Sequence, residues 1–190
     1  MGDLTFILPT LNQIYSFLID IATQIKNRKL KIDTIVGISR GGLIPARFLS
    51  DLLLIPDIKI VAAGFYSGPN VRLEKPIIYT SIPDEEVMNK NILLVDDVAD
   101  TGETLEAVRL HLLEKGAKNV YTAVIYVKPW NKAKIDFYSQ TTDAWIIFPW
   151  EFIETAQQLF KIDSWDKFRR EIESNEELVK ILNKFLESGK

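Results

Sequence analysis

The chain has 190 residues, 47% of them hydrophobic, and a formal charge of −3. That length and apolar share suit one α/β domain of ordinary size with a small appendage, and they exclude a disordered chain. Lys and Arg form no dominant basic block, which excludes a general nucleic-acid surface, and the lack of cysteine excludes disulfides, thiolate catalysis and zinc–thiolate sites.

Met1–Pro9 carries no basic lead into an apolar stretch, and the longest apolar runs are too short to span a bilayer. Neither a signal peptide nor a membrane span is expected, and the cytoplasm is the expected setting. Thr10 is placed to cap a helix through about Lys29. Ile14, Phe17, Leu18, Ile21 and Ile25 form its apolar stripe, with Lys26, Arg28 and Lys29 at its negative end. Thr34–Ile38 then reads as a strand, Ser39-Arg40-Gly41-Gly42 as a tight loop, and about Leu43 to Leu54 as a helix. A cationic side chain beside two glycines at a helix start suits pyrophosphate, although a plain βα turn has the same composition. Lys59–Phe65 is a further strand. Pro69–Pro76, polar and punctuated and flanked by Val71 and Ile77–Tyr79, reads as an excursion outside the sheet.

The richest stretch follows. Asn91–Val95 is a branched apolar run suited to a strand covered on both faces. It stops at Asp96-Asp97, passes through Val98-Ala99 and opens into Asp100-Thr101-Gly102-Glu103-Thr104. From Glu103 the positions Leu105, Val108 and Leu112 keep helical spacing until Gly116. Loop amides at the positive end of that helix, with the hydroxyls of Thr101 and Thr104, suit a phosphate monoester, and Gly102 permits close backbone approach. Asp96 and Asp97 accept hydrogen bonds only, so beside an anion they suit sugar hydroxyls or a divalent metal. His111 lies on this helix and reads as helix surface or packing.

Val120–Val127 completes a βαβ alternation, the pattern of a doubly wound, mostly parallel sheet with its ligand loops at the carboxyl ends of the strands. Lys128 follows that strand and precedes Pro129, which fixes a donor at the same edge. Further on stands Asp143-Ala144-Trp145-Ile146-Ile147-Phe148-Pro149-Trp150-Glu151.

The run from Ile92 to Thr104 resembles, position by position, the 5-phosphoribosyl-1-pyrophosphate (PRPP) binding signature of the type I phosphoribosyltransferases. The resemblance extends over roughly residues 35–151 and implies a doubly wound core with a small hood. It implies that Asp96, Asp97, Asp100, Thr101, Gly102, Glu103 and Thr104 bind PRPP, with Asp96 and Asp97 toward Mg²⁺ or the ribose hydroxyls. Asp100 would be the catalytic acceptor of the purine ring proton. It further implies that Ser39, Arg40, Gly41 and Gly42 hold pyrophosphate in an unusual backbone conformation such as a cis peptide. Phe65–Tyr79 would correspond to a mobile loop whose Arg72 or Lys75 reaches the pyrophosphate. Lys128 matches the lysine that donates to the exocyclic oxygen of a 6-oxopurine, Trp145 the aromatic that stacks on the base, and Ile146 and Ile147 the adjoining backbone contacts. The expected partners are PRPP, a purine base and a second copy of the chain, with no nucleic acid and no membrane.

The expected division is a core and hood over 1–150 and a helical extension over 151–190. The extension carries three amphipathic stripes: Phe152, Ile153, Ala156, Leu159, Phe160; Trp165, Phe168, Ile172; and Leu178, Ile181, Leu182, Phe185, Leu186. Asp163 or Ser164 and Ser174 are the expected caps between them, and the short helices are expected to pack on the hood or on another subunit. This extension leaves adenine transfer open as an alternative to oxopurine transfer. A PRPP- or nucleotide-sensing regulator without catalysis is the reading from another class, and orotate transfer is disfavoured by Lys128 and Trp145.

Overall fold

The computed structural model describes residues 5–68, 71–160, 165–173 and 175–187, with side chains left aside at 66–68, 71–74 and 186–187. The chain divides into two compact units, Ile14–Asp143 and the combination of Met1–Gln13 with Ala144–Lys190.

The larger unit takes in most of α1 (Leu11–Asn27), then β2 (Thr34–Ser39), α2 (Leu43–Leu53), β3 (Ile58–Gly68), β4 (Val71–Thr80), β5 (Asn91–Ala99), α3 (Glu103–Glu114), β6 (Asn119–Val127) and β7 (Phe137–Thr141). They build a six-stranded sheet in the order β4-β3-β2-β5-β6-β7. Every pairing is parallel except the β3–β4 hairpin. The central strands are buried on both faces, which is why Ile92, Leu93, Leu94 and Val95 are all apolar. Val36, Ile38, Ile92 and Leu94 pack with Leu105, Val108 and Leu112 of α3. Gly37, between Val36 and Ile38, turns to the opposite face, where a Cβ would stand 3.1 Å from Ala46 of α2. Helices therefore cover both faces, and the doubly wound expectation holds.

The α1 start also follows the sequence reading. Thr10 Oγ1 accepts from the Gln13 amide at 3.2 Å while Gln13 Oε1 accepts from the Thr10 amide at 2.8 Å, a reciprocal capping box. Its buried stripe is Ile14, Leu18, Ile21, Ala22 and Ile25.

Three features differ from expectation. Residues 71–80 do not leave the sheet: β4 is its edge strand. Its register with β3 shifts between Gly64 and Tyr66, opposite the segment containing Pro76, and edge position with an irregular ladder tolerates a residue that cannot donate. Pro69 and Asn70 lie outside the described residues. Second, β7 has no counterpart in the sequence reading. Third, β5 continues through both aspartates to Ala99, so the pair lies within the strand.

In the smaller unit β1 (Phe6–Ile7) pairs in parallel with β8 (Trp145–Ile146). The helices α4 (Phe152–Phe160), α5 (Trp165–Ile172) and α6 (Glu176–Glu187) follow. Phe6, Ile147, Phe152, Ala156, Leu159, Phe168, Ile172 and Leu182 form one core. Each stripe thus contributes to this core, while Phe160, Ile181 and Phe185 stay exposed. Asn175 caps α6 through a bond from the Leu178 amide to Oδ1 at 3.1 Å, whereas the expected caps Asp163, Ser164 and Ser174 lie outside the described residues.

Candidate active site

In a parallel sheet the loops after the strands gather at one edge. Three hold candidate residues here: the loops after β2, β5 and β6. The first two wall a cavity of about 320 Å³ whose lining includes Ser39, Arg40, Gly41, Asp96 and all of Asp100–Thr104, with Phe65 of β3.

The Ser39–Arg40 peptide is cis, the backbone feature expected of this loop, and Gly42 starts α2. Both glycines are required by space rather than by dihedral angle. A Cβ on Gly41 would lie 2.4 Å from Asp97 Oδ2, and one on Gly42 would lie 2.3 Å from the Val95 carbonyl oxygen. The loop is thereby clamped onto the end of β5.

The two carboxylates of β5 have different neighbours. Asp97 is buried, 7% exposed, with its carboxylate against the Gly41 backbone. Asp96 is half-buried, faces the cavity and accepts from the Asp97 amide at 3.0 Å. Burial, and then the charge of Asp97, push the Asp96 carboxyl well above the usual carboxylate range. Hydrogen bonds from the Asp97 and Gly42 amides act against that shift. Among the described residues no group of three or more His, Cys, Asp or Glu side chains is arranged to hold a metal. Asp96, a carboxylate oxygen donor lining the cavity, fits a hard cation such as Mg²⁺ that takes its other oxygens from water and a phosphorylated ligand.

Gly102 stands at φ 83° before α3, and a Cβ there would lie 2.3 Å from Asn131 Oδ1 and 2.4 Å from Ala133 Cβ. Hence this glycine answers both a backbone and a packing demand. Thr101 Oγ1 accepts from the Glu103 amide at 3.4 Å. The first-turn amides of α3 have no carbonyl partner within the helix, which suits an anion at Thr101–Thr104.

The loop after β6 docks onto the same place. The Lys128 amide donates to Ala99 O at 3.0 Å and the Lys132 amide to Thr101 O at 3.1 Å. Lys128 is only 9% exposed; desolvation pulls its ammonium below the usual lysine range, with Asp100 and Asp143 opposing. Trp130, which the sequence reading passes over, donates from Nε1 to Asp100 Oδ1 at 2.7 Å, and Lys128 Nζ lies 5.6 Å from its ring centroid. The available signal was its position two residues after Lys128.

The remaining candidates stand elsewhere. Trp145, Ile146 and Ile147 are in the smaller unit. The Trp145 amide donates to Thr5 O at 2.8 Å and the Ile147 amide to Ile7 O at 2.9 Å, so the ladder alternation turns the Ile146 peptide groups to the other edge of β8. Trp145 is 37% exposed. Arg72 has its backbone in β4, paired with Tyr66, while its side chain lies outside the described set; Lys75 is exposed on the same strand. His111 has a ring nitrogen 2.6 Å from Ser81 Oγ, a packing contact away from the cavity.

Comparison with known proteins gives the family of this fold. Residues 10–157 match the family model described as "Phosphoribosyl transferase domain". A xanthine-guanine phosphoribosyltransferase of Cereibacter sphaeroides is 35% identical over 121 residues, 62% of this chain and 68% of that protein. Two solved structures are similar in fold and sequence. A purine phosphoribosyltransferase from Pyrococcus horikoshii Ot3 has TM-score 0.67 and 38% identity, covering 76% of this chain and 93% of its own. A hypothetical protein from Neisseria gonorrhoeae with bound ppGpp has TM-score 0.69 and 29% identity, covering 90% and 97%.

Proposed function

The chain belongs to the phosphoribosyl transferase family, and from that membership we propose that it transfers the phosphoribosyl group of PRPP to a purine base, with 6-oxopurines as acceptors. The products are a nucleoside 5′-monophosphate and pyrophosphate, the chemistry of purine salvage. The observation that carries the reading is the single cavity walled by Ser39–Gly41, Asp96 and Asp100–Thr104. The relatives that act on xanthine and guanine, and the one that binds ppGpp, support a site for guanine-type ligands on this fold.

In this reading the 5′-phosphate sits on the Thr101–Thr104 amides and hydroxyls, with Gly102 and Glu103 completing the turn, and Arg40 with the amides of Gly41 and Gly42 holds the pyrophosphate. Arg72 is the choice for a second cation over the pyrophosphate. Asp96 orients ribose hydroxyls and supplies the carboxylate for Mg²⁺, while Asp97 keeps the pyrophosphate loop in place. Bound there, Mg²⁺ neutralises the leaving group. As the bond from C1 to the pyrophosphate oxygen breaks and the bond to the ring nitrogen forms, positive charge develops on the ribose and the base loses its ring proton. Asp100 accepts that proton, and Lys128 donates to the exocyclic oxygen. Base stacking by Trp145 and edge contacts from the backbone of Ile146 and Ile147 are the roles the family resemblance implies for these residues of the smaller unit.

The assembly proposed is a homodimer in the cytoplasm. Tyr15, Ile19, Leu43, Ile44 and Ile60 are each more than a third exposed, and Tyr15 packs edge-on against Phe48, which ties α1 and α2 into one apolar surface. No described helix is long and apolar enough to cross a membrane.

The test is a transferase assay with PRPP and Mg²⁺ against hypoxanthine, guanine, xanthine, adenine and orotate in parallel. Turnover of oxopurines is expected. Adenine-only turnover would overturn the role given to Lys128, and tight PRPP binding without turnover of any base would favour a regulator.

A further inference from the structure

The loop after β6 holds an aromatic residue that the phosphoribosyl chemistry above does not use. Trp130 is 50% exposed, too open to be explained as core. Its indole donates to Asp100 Oδ1 at 2.7 Å, and its ring stands under the Lys128 ammonium at 5.6 Å. One side chain therefore touches both groups assigned to the base, the acceptor of its proton and the donor to its oxygen. An indole N–H is a donor only, so it engages one carboxylate oxygen and leaves the other for a substrate proton. The loop that carries it is fixed at two points: the Lys128 amide donates to Ala99 O at 3.0 Å, and the Lys132 amide donates to Thr101 O at 3.1 Å. Asp100 itself is exposed, at the bend after β5, and the indole bond fixes one oxygen of a side chain that is otherwise open to solvent.

We propose that Trp130 is a positioning residue, which holds the Asp100 carboxylate by one oxygen at a set distance from Lys128 so that a 6-oxopurine meets acceptor and donor together. The proposal rests on the reading of Asp100 as proton acceptor. Asp100 does the chemistry, and Trp130 limits the conformations from which it can act. The indole bond itself reaches Asp100 and none of the hydroxyls or amides of Thr101–Thr104, so its loss is expected to act on transfer more than on PRPP binding.

Steady-state kinetics on the full chain with Mg²⁺·PRPP and guanine or hypoxanthine tests this, using W130F, W130H, D100N and the double variant W130F/D100N. Phenylalanine keeps the ring and removes the donor, and histidine restores a ring N–H. Loss of one hydrogen bond to a charged group sets the scale: kcat in W130F is expected to fall roughly tenfold or more, with the KM for PRPP within about twofold of wild type. W130H is expected to recover part of the loss. In the double variant the second substitution is expected to add nothing to D100N, because the two side chains act as a unit. Wild-type kcat in W130F, equal losses in W130F and W130H, or losses that multiply in the double variant would each overturn the positioning role. Wild-type turnover in D100N would overturn the proton-acceptor reading beneath it as well. D100N slowed while W130F is not would overturn the positioning role alone. Equal losses in W130F and W130H accompanied by a lowered Tm assign Trp130 to packing and reject the proposal in the same way.

Discussion

A methyl group added at residue 41 meets the movable end of the Asp97 side chain, whereas one added at residue 42 meets the backbone of β5. The neighbouring glycines therefore fail differently. Gly41→Ala is expected to keep its stability and lose PRPP affinity by tenfold or more, read by calorimetry, because Asp97 and the loop must part. Gly42→Ala is expected to destabilise the fold by about 1–3 kcal/mol, read by urea denaturation, because no flexible group can yield. Lys128→Gln tests the base edge: kcat/KM for oxopurines should fall by about tenfold or more while the PRPP dissociation constant stays unchanged. At this scale much was legible. The aspartate pair, the Asp-Thr-Gly turn and the Arg-Gly-Gly loop were each marked in the sequence, and the structure brings Arg40, Gly41, Asp96 and Asp100–Gly102 to one cavity. Trp130 was not, because its partner Asp100 is thirty positions away and only the docking of two loops brings them together.

Strand ends are fastened by side chains as well as ladders. Asp33 precedes β2 and takes the amide of Asn91, the first residue of β5, at 2.9 Å and its Nδ2 at 3.0 Å; its own amide donates to Asn91 O at 2.8 Å. The Asn91 amide holds the Asp33 carboxyl below the usual carboxylate range, against the opposing pull of burial. Its stabilising effect is complete above the unfolded value near about 3.9 and is lost as pH falls through the lower folded value. Urea midpoints at pH 5 and pH 3 should therefore converge more in Asp33→Asn than in wild type. Elements themselves were unevenly legible. The central strands announced themselves by unbroken branched residues. β7 did not, since only Phe137 of Phe137–Thr141 is buried and an edge strand needs no long apolar run. β4 was hidden by Pro76, which its edge position admits.

At the scale of the whole molecule, the smaller unit stands on one core to which both ends of the chain contribute. Phe168 is fully buried and its ring lies 6.3 Å from that of Phe6, 5.8 Å from Phe152 and 5.7 Å from Trp165. Phe168→Ala is expected to cost this unit about 3–5 kcal/mol, visible as an earlier melting transition and as protease cleavage within 144–190. The stripes on α4–α6 were readable as stripes. Their partner Phe6 was not, because a two-residue strand has no period to detect. The same architecture sets an order of events during synthesis. β1 and β8 pair Phe6 with Trp145, so the first strand leaves the ribosome on the order of ten seconds before its partner exists at usual elongation rates. Throughout that interval the sheet of the larger unit can close while Phe6 and Ile7 wait unpaired. A nascent chain that stalls before residue 144 thus holds every strand of the larger sheet while Phe6 and Ile7 still lack the strand they pair with.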